Sequence, residues 1–243
     1  MSPLIHSNVI RDEHKRYLDN FEKLINKRLN KSYTNLSYEY YKMSYSIFVL
    51  VTELIKRRQG SVYLRELKTE IVSLIGLGTI GFENSLHLRR CIELSLKHVY
   101  YIDHPIEYQI LSESIKSGEL AKEDKIVKEL FDYFRLHPNF KKSKKFNDPI
   151  NLLDISYKKL CEIVHARKIS TPSKLEECTI PKLTTDDIQQ GKNFYRKIMR
   201  SIIVLLIIFH ISTVAKFDEF KKEAILYSLT RSLSRNLRSE LGI

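Results

Sequence analysis

The sequence predicts an all-α protein: a single helical-bundle domain over residues 1–243, of about eight helices, with a Lys-rich irregular insertion. Three observations predict it. Breakers are scarce, with 7 Gly and 6 Pro in 243 residues, too few for the repeated turns of a β fold. Apolar residues recur at intervals of three and four in segment after segment, the period of a helix with one buried face. No stretch alternates apolar and polar residues as a half-buried strand does.

The first helix is expected over 6–30, where Ile10, Leu18, Phe21, Ile25 and Leu29 recur on one face. The second, over 37–58, is apolar all round at Ile47-Phe48-Val49-Leu50-Val51 and belongs inside a bundle; Gly60 suits its C′ position. The third covers 62–75. The glycines at 76, 78 and 81 that follow lack a P-loop lysine and a preceding strand, so they read as a turn between helices. The fourth helix, 83–102, carries Leu88, Ile92, Leu96, Val99 and Ile102 on its apolar face. Arg89, Glu93 and Lys97 stand one turn apart on a neighbouring face. Asp103-His104-Pro105 ends it, because proline disfavours helical geometry in the residue before it. A shorter helix follows over 106–117, then an amphipathic one over 122–135.

A flexible basic loop is expected over about 137–150, where Lys141, Lys142, Lys144 and Lys145 lie between Phe140 and Phe146. It reads either as a solvated surface loop or as an arm that contacts phosphates and offers aromatics to bases. A helix over 151–168 comes next, then an irregular connector over about 169–183. Thr184 or Thr185 caps a long helix to 214, with Asp186 and Asp187 in its positive first turn. Its Ile202–Ile211 run is the most apolar in the chain and marks the central core helix. His210 within it reads as a hydrogen-bonded core or edge histidine. The last helix, 217–241, places Arg231, Arg235 and Arg238 on one stripe. That stripe is a solvated face or a track for successive phosphates.

Lys and Arg outnumber Asp and Glu by 41 to 29, a net charge of +12. Such an excess favours polyanionic partners, RNA or other nucleic acid above all. Cys91, Cys161 and Cys178 form no spaced set of metal ligands, and no cofactor or metal is expected. The longest apolar run is too short to span a bilayer and the amino terminus lacks a signal peptide's apolar core. The expectation is a cytoplasmic protein with no membrane association.

Two segments hold the chemistry. One is 86–101, LHLRRCIELSLKHVYY; the other is 157–167, YKKLCEIVHAR. Metal-independent cleavage of RNA needs a base for the 2′-hydroxyl and a cation for the phosphorane. Histidine suits the first task because it titrates near neutrality, and Lys or Arg suits the second. Lys158, Glu162 and His165 share one helical face. A histidine near a helix end also fits a purely structural role.

The run LRRCIELSLKHVYYIDHPIEY followed by YKKLCEIVHAR resembles HEPN-type helical proteins of prokaryotic defence, abortive-infection and toxin–antitoxin systems. The resemblance implies an all-α bundle that forms a homodimer and cuts RNA without metal; a partner protein from the same operon belongs to the alternative reading, a non-catalytic adaptor. The family motif is an Arg, four to six residues, then a His. His165 falls on the motif histidine and Lys158 on the motif arginine, a departure that keeps the charge and loses the planar fork. Arg89 or Arg90 could then supply the cation, with Glu93 orienting it. The resemblance thus implies either a ribonuclease or an inactive helical adaptor that binds nucleic acid or a partner.

Overall fold

The computed structural model describes residues 3–25, 31–57, 61–77, 82–117, 125–141, 147–164 and 185–242. Every regular element among them is a helix: α1 Pro3–Ile25, α2 Lys31–Lys56, α3 Val62–Leu77, α4 Phe82–Asp103, α5 Pro105–Ser117, α6 Val127–Leu136, α7 Pro138–Lys141, α8 Asn147–Val164, α9 Thr185–Phe209, α10 Ile211–Val214, α11 Glu219–Leu226 and α12 Arg231–Leu241. No helix among the described residues is long and apolar enough to cross a membrane.

The bundle is built round α9. Residues 202–207 are fully buried there, polar to no side of the helix. A helix apolar on every face has to be enclosed on every face, and α9 packs on α2, α4 and α8. The ring closes through α2 on α3, α3 on α4, and α4 on α8. Each ring helix turns its own apolar line inward: Ile47, Leu50, Val51 and Leu54 from α2; Leu64, Leu67, Ile71 and Leu74 from α3; Leu88, Ile92, Leu96 and Val99 from α4. Full burial of each such side chain contributes about 1.5–3 kcal/mol relative to leaving it exposed. α1 lies outside on α2, with Ile10, His14 and Leu18 at one-turn spacing on its buried line. Gly76 is where α3 meets α1: a Cβ there would stand 2.7 Å from the Tyr17 hydroxyl oxygen. The third helix therefore runs through this glycine to Leu77, two residues beyond the expected end.

The expectation of about eight helices is corrected to twelve helical segments among the described residues. Two causes account for the difference. The expected helix over 217–241 is two helices, because Asp218 and Thr230 each act as an N-cap. The Asp218 carboxylate accepts from the Lys221 N–H at 2.9 Å and the Thr230 hydroxyl from the Leu233 N–H at 3.4 Å. Gly242 at φ +70° closes α12, its N–H bonded to the Arg238 carbonyl. The second cause is short turns of helix at the joints. The expected loop over 137–150 contains α7 and the start of α8, and the long helix expected to reach 214 breaks at His210 into α9 and α10.

The His210 imidazole reaches into the bundle. Its Nε2 lies 2.9 Å from Nε2 of His98, so one ring donates to the other, and His98 Nδ1 lies 2.8 Å from the Ser61 hydroxyl. Both histidines are buried.

Ile102, expected on the buried line of α4, is one-third exposed. The line has rotated off the core by the last turn, where α5 begins. Cys91 is buried, while Cys161 is half-buried.

Candidate functional site

The two chemistry-bearing segments lie side by side: 86–101 within α4, and the described part of 157–167 within α8, with α4 packed on α8. Glu93 is the hinge of this seam. Its Oε1 accepts from Arg89 Nε at 3.0 Å, one turn back on α4, and from the Tyr157 hydroxyl at 2.8 Å, across on α8. Arg89 and Glu93 are each about one-fifth exposed, so water reaches the carboxylate without surrounding it. Burial, with the Glu93 carboxylate beside it, pushes the Tyr157 hydroxyl up well beyond the ordinary phenol range. Tyr157 is thus a hydrogen-bond donor at neutral pH and not a base.

Arg90 points the other way, towards α3. Its Nε donates to Glu70 at 2.6 Å and its Nη2 to Glu66 at 3.4 Å. The bond to Glu70 raises the Arg90 pKa further. The other Glu70 oxygen lies 2.5 Å from His87 Nδ1; a carboxylate only accepts, so Nδ1 carries the proton. One acid therefore holds both an imidazole and a guanidinium. Lys158 is ion-paired with Asp154 at 3.0 Å, one turn earlier on α8, and Arg135 of α6 donates to the same Asp154 oxygen. The Lys158 side chain is 70% exposed, the Asp154 side chain 9%. Asp154 is the buried anchor and Lys158 the solvated end.

His165 follows Val164 directly in the sequence and lies outside the described residues, as do Lys142, Lys144 and Lys145 and the side chain of Lys141. Of the two aromatics of the expected basic arm, Phe146 lies outside the described residues and Phe140 is placed differently. Phe140 is buried against Phe134 and Phe209, with ring centroids 6.3 and 5.8 Å away. It packs under α7 and is not presented to bases.

Arg231 and Arg235 are exposed on α12. Arg238 grips Glu223 of α11 with both terminal nitrogens, at 2.6 and 2.5 Å. The stripe therefore has two exposed arginines and one engaged in a bidentate pair.

The pairs that cross between helices escaped the sequence: Glu70 with His87 and Arg90, Asp154 with Arg135, and Tyr157 with Glu93. Tyr157 carried a usable signal, standing one turn before Cys161 on α8 and so on the side that packs. Glu70 carried a weaker one. The short link between α3 and α4 makes them antiparallel neighbours, which brings the acid face of one to the basic face of the other.

No known protein family, no curated protein and no solved structure matches the chain.

Proposed function

We propose that this chain is an HEPN-like effector of a bacterial anti-phage defence or toxin system, a cytoplasmic homodimer that cuts RNA without a metal ion. The observation that carries this reading is the shared carboxylate on the α4–α8 seam. Glu93 takes Arg89 from one segment and Tyr157 from the other, and so fixes the bearing of an arginine beside the helix that leads to His165. In the proposed reaction His165 draws the proton from a 2′-hydroxyl and the 2′-oxygen attacks the adjacent phosphorus. The bond from phosphorus to the 5′-oxygen then breaks, leaving a 2′,3′-cyclic phosphate and a 5′-oxygen that picks up one proton from water to become a hydroxyl, while His165 gives its own proton back to solvent. Arg89 stabilises the charge on the phosphorane, the task the family motif gives to an arginine where this chain has Lys158. Arg231 and Arg235, with the lysines at 141–145, hold the strand.

The test is incubation of the purified protein with labelled RNA in the presence of a chelator. Cleavage with cyclic-phosphate ends is expected, and its loss in His165→Ala with an unchanged circular dichroism spectrum. Cleavage by His165→Ala at the native rate removes the site.

A second reading is favoured by a different observation. Lys158, Arg90 and Arg238 are each tied to a carboxylate of the chain itself, which lowers their availability to a phosphate. That pattern suits an inactive helical adaptor that binds nucleic acid or a partner protein of the same system. Salt-sensitive RNA binding without cleavage is its signature.

A further inference from the structure

The α9 helix carries a line of cations of its own. Lys192, Arg196 and Arg200 stand at intervals of four, on one side of the helix. From Ile188 to Phe217 the sequence contains no acid at all. Arg200 is half-buried and spends its Nε–H on the carbonyl of Ser228, at 2.5 Å. No acceptor among the described residues lies within bonding distance of its two terminal nitrogens. Burial, then the neighbouring Arg196, holds the Arg200 pKa below the ordinary guanidinium range. Among the described residues, the hydrogen-bond partner of Arg196 is Asn193 of its own helix, at 3.2 Å.

Ser228 fixes what lies next to this pair. It sits in the link between α11 and α12, tied through its N–H to the Ser46 hydroxyl, and Thr230 two residues on is the N-cap of α12. Three residues of chain can carry Arg231 no more than about 11 Å from Ser228. Arg231 is exposed at the first position of an 11-residue helix that has no acid in its first turn. Glu223 is taken by Arg238, and Glu39 of α2 makes no ion pair with Arg196 or Arg200. Arg196 and Arg200, like charges one turn apart with Arg200 partly desolvated, cost free energy unless an anion offsets them. The forked end of a guanidinium matches two oxygens of a phosphate.

We propose that Arg196 and Arg200 of α9, with Arg231 at the start of α12, form a binding site for a phosphate group. The group is either a free phosphate or a phosphodiester of a nucleic-acid strand, and both present the same oxygens to the same forks. The site is read by binding alone. Its failure is therefore distinct from failure of the ribonuclease reading, which is read by turnover.

The full chain is titrated with inorganic phosphate by calorimetry, and with a fluorescent single-stranded RNA by anisotropy at fixed salt. Arg196→Gln and Arg200→Gln are compared with Lys128→Gln, which removes the same charge from an exposed position on α6. Each arginine variant is expected to weaken the ligand that binds by about tenfold or more, with Lys128→Gln within about twofold of the native chain. Loss of the RNA alone assigns a strand, loss of inorganic phosphate alone assigns a free anion, and loss of both shows one site open to either. Arg200→Gln also removes the tie to Ser228 and can lower the melting temperature. Arg196→Gln touches only Asn193 and carries the test if the first variant does not fold. Native-like binding by Arg196→Gln overturns the proposal. So does an equal loss in Lys128→Gln, or absence of binding by the native chain to both probes.

Discussion

The α4–α8 seam and the proposed site of Arg196, Arg200 and Arg231, here called the slope, both gather cations, and they treat them in opposite ways. On the seam Arg89 has Glu93 and Lys158 has Asp154, and on the α3 side of α4 Arg90 has Glu70 and Glu66. On the slope Arg196, Arg200 and Arg231 have no carboxylate among the described residues. A partner acid aims a cation and cancels most of its field; a missing acid leaves the field in place. The net charge of +12 is therefore felt less where Lys and Arg are dense than where acids are absent. The seam is built to hold side chains in fixed directions, and the slope to attract.

Acid breaks the connection between the two regions, and this is the largest expected effect. His98 of α4 and His210 at the end of α9 join them in the core, and burial holds both pKa values down, that of His210 to about 4. Burial also lowers His14, beneath α2, to about 4. In the unfolded chain each imidazole takes up its proton near pH 6.5. Unfolding is thus coupled to proton uptake between pH 6.5 and about 4. Stability is full above that window and falls as pH drops through it, by about 3 kcal/mol for His210 alone. Melts followed by circular dichroism should begin to shift down above the ordinary carboxylate range. A melting temperature unchanged from neutrality to pH 5 contradicts the buried neutral pair.

Glu93→Ala is next. It leaves the Arg89 Nε–H and the Tyr157 hydroxyl without their acceptor in a half-buried seam, at a cost of about 2 kcal/mol. Urea unfolding reads it as a lower midpoint with an unchanged slope. A cost near zero would mean that water replaces the carboxylate fully, and that the seam holds nothing in place.

Lys158→Ala is the smallest. Its ammonium is solvated and Asp154 keeps Arg135, so the same measurement should give a change within about 0.5 kcal/mol. A loss as large as that of Glu93→Ala would put Lys158 among the structural cations of the seam and remove the contrast between its buried and its solvated pairs.

Contacts within a helix were legible in the sequence, and contacts between helices were not. The apolar line of α4, the enclosed centre at Ile202–Ile207 and the one-turn pairing of Arg89 with Glu93 follow from the helical period alone. The split between α11 and α12 does not, because apolar spacing runs on through 227–230 while the Thr230 hydroxyl starts a new helix. Phe140 between lysines reads as a loop aromatic until α7 folds it under Phe134 and Phe209. Glu70, His87 and Tyr157 depend on which helices are neighbours, a property of the assembled bundle. The bare arginines of α9 carry a signal of their own in the sequence: a stretch from Ile188 to Phe217 with cations and no acid.

The enclosed position of α9 has a consequence for how the chain is made. At about 5–20 residues per second, synthesis delivers Ile202–Ile207 roughly 10–40 s after Ile10 leaves the ribosome. Until then α2, α4 and α8 have emerged with their inner faces shaped for a helix that does not yet exist. α8 is complete at Val164, so the three ring helices wait only about 2–8 s for the helix they enclose, and during that wait their inner faces are open to water.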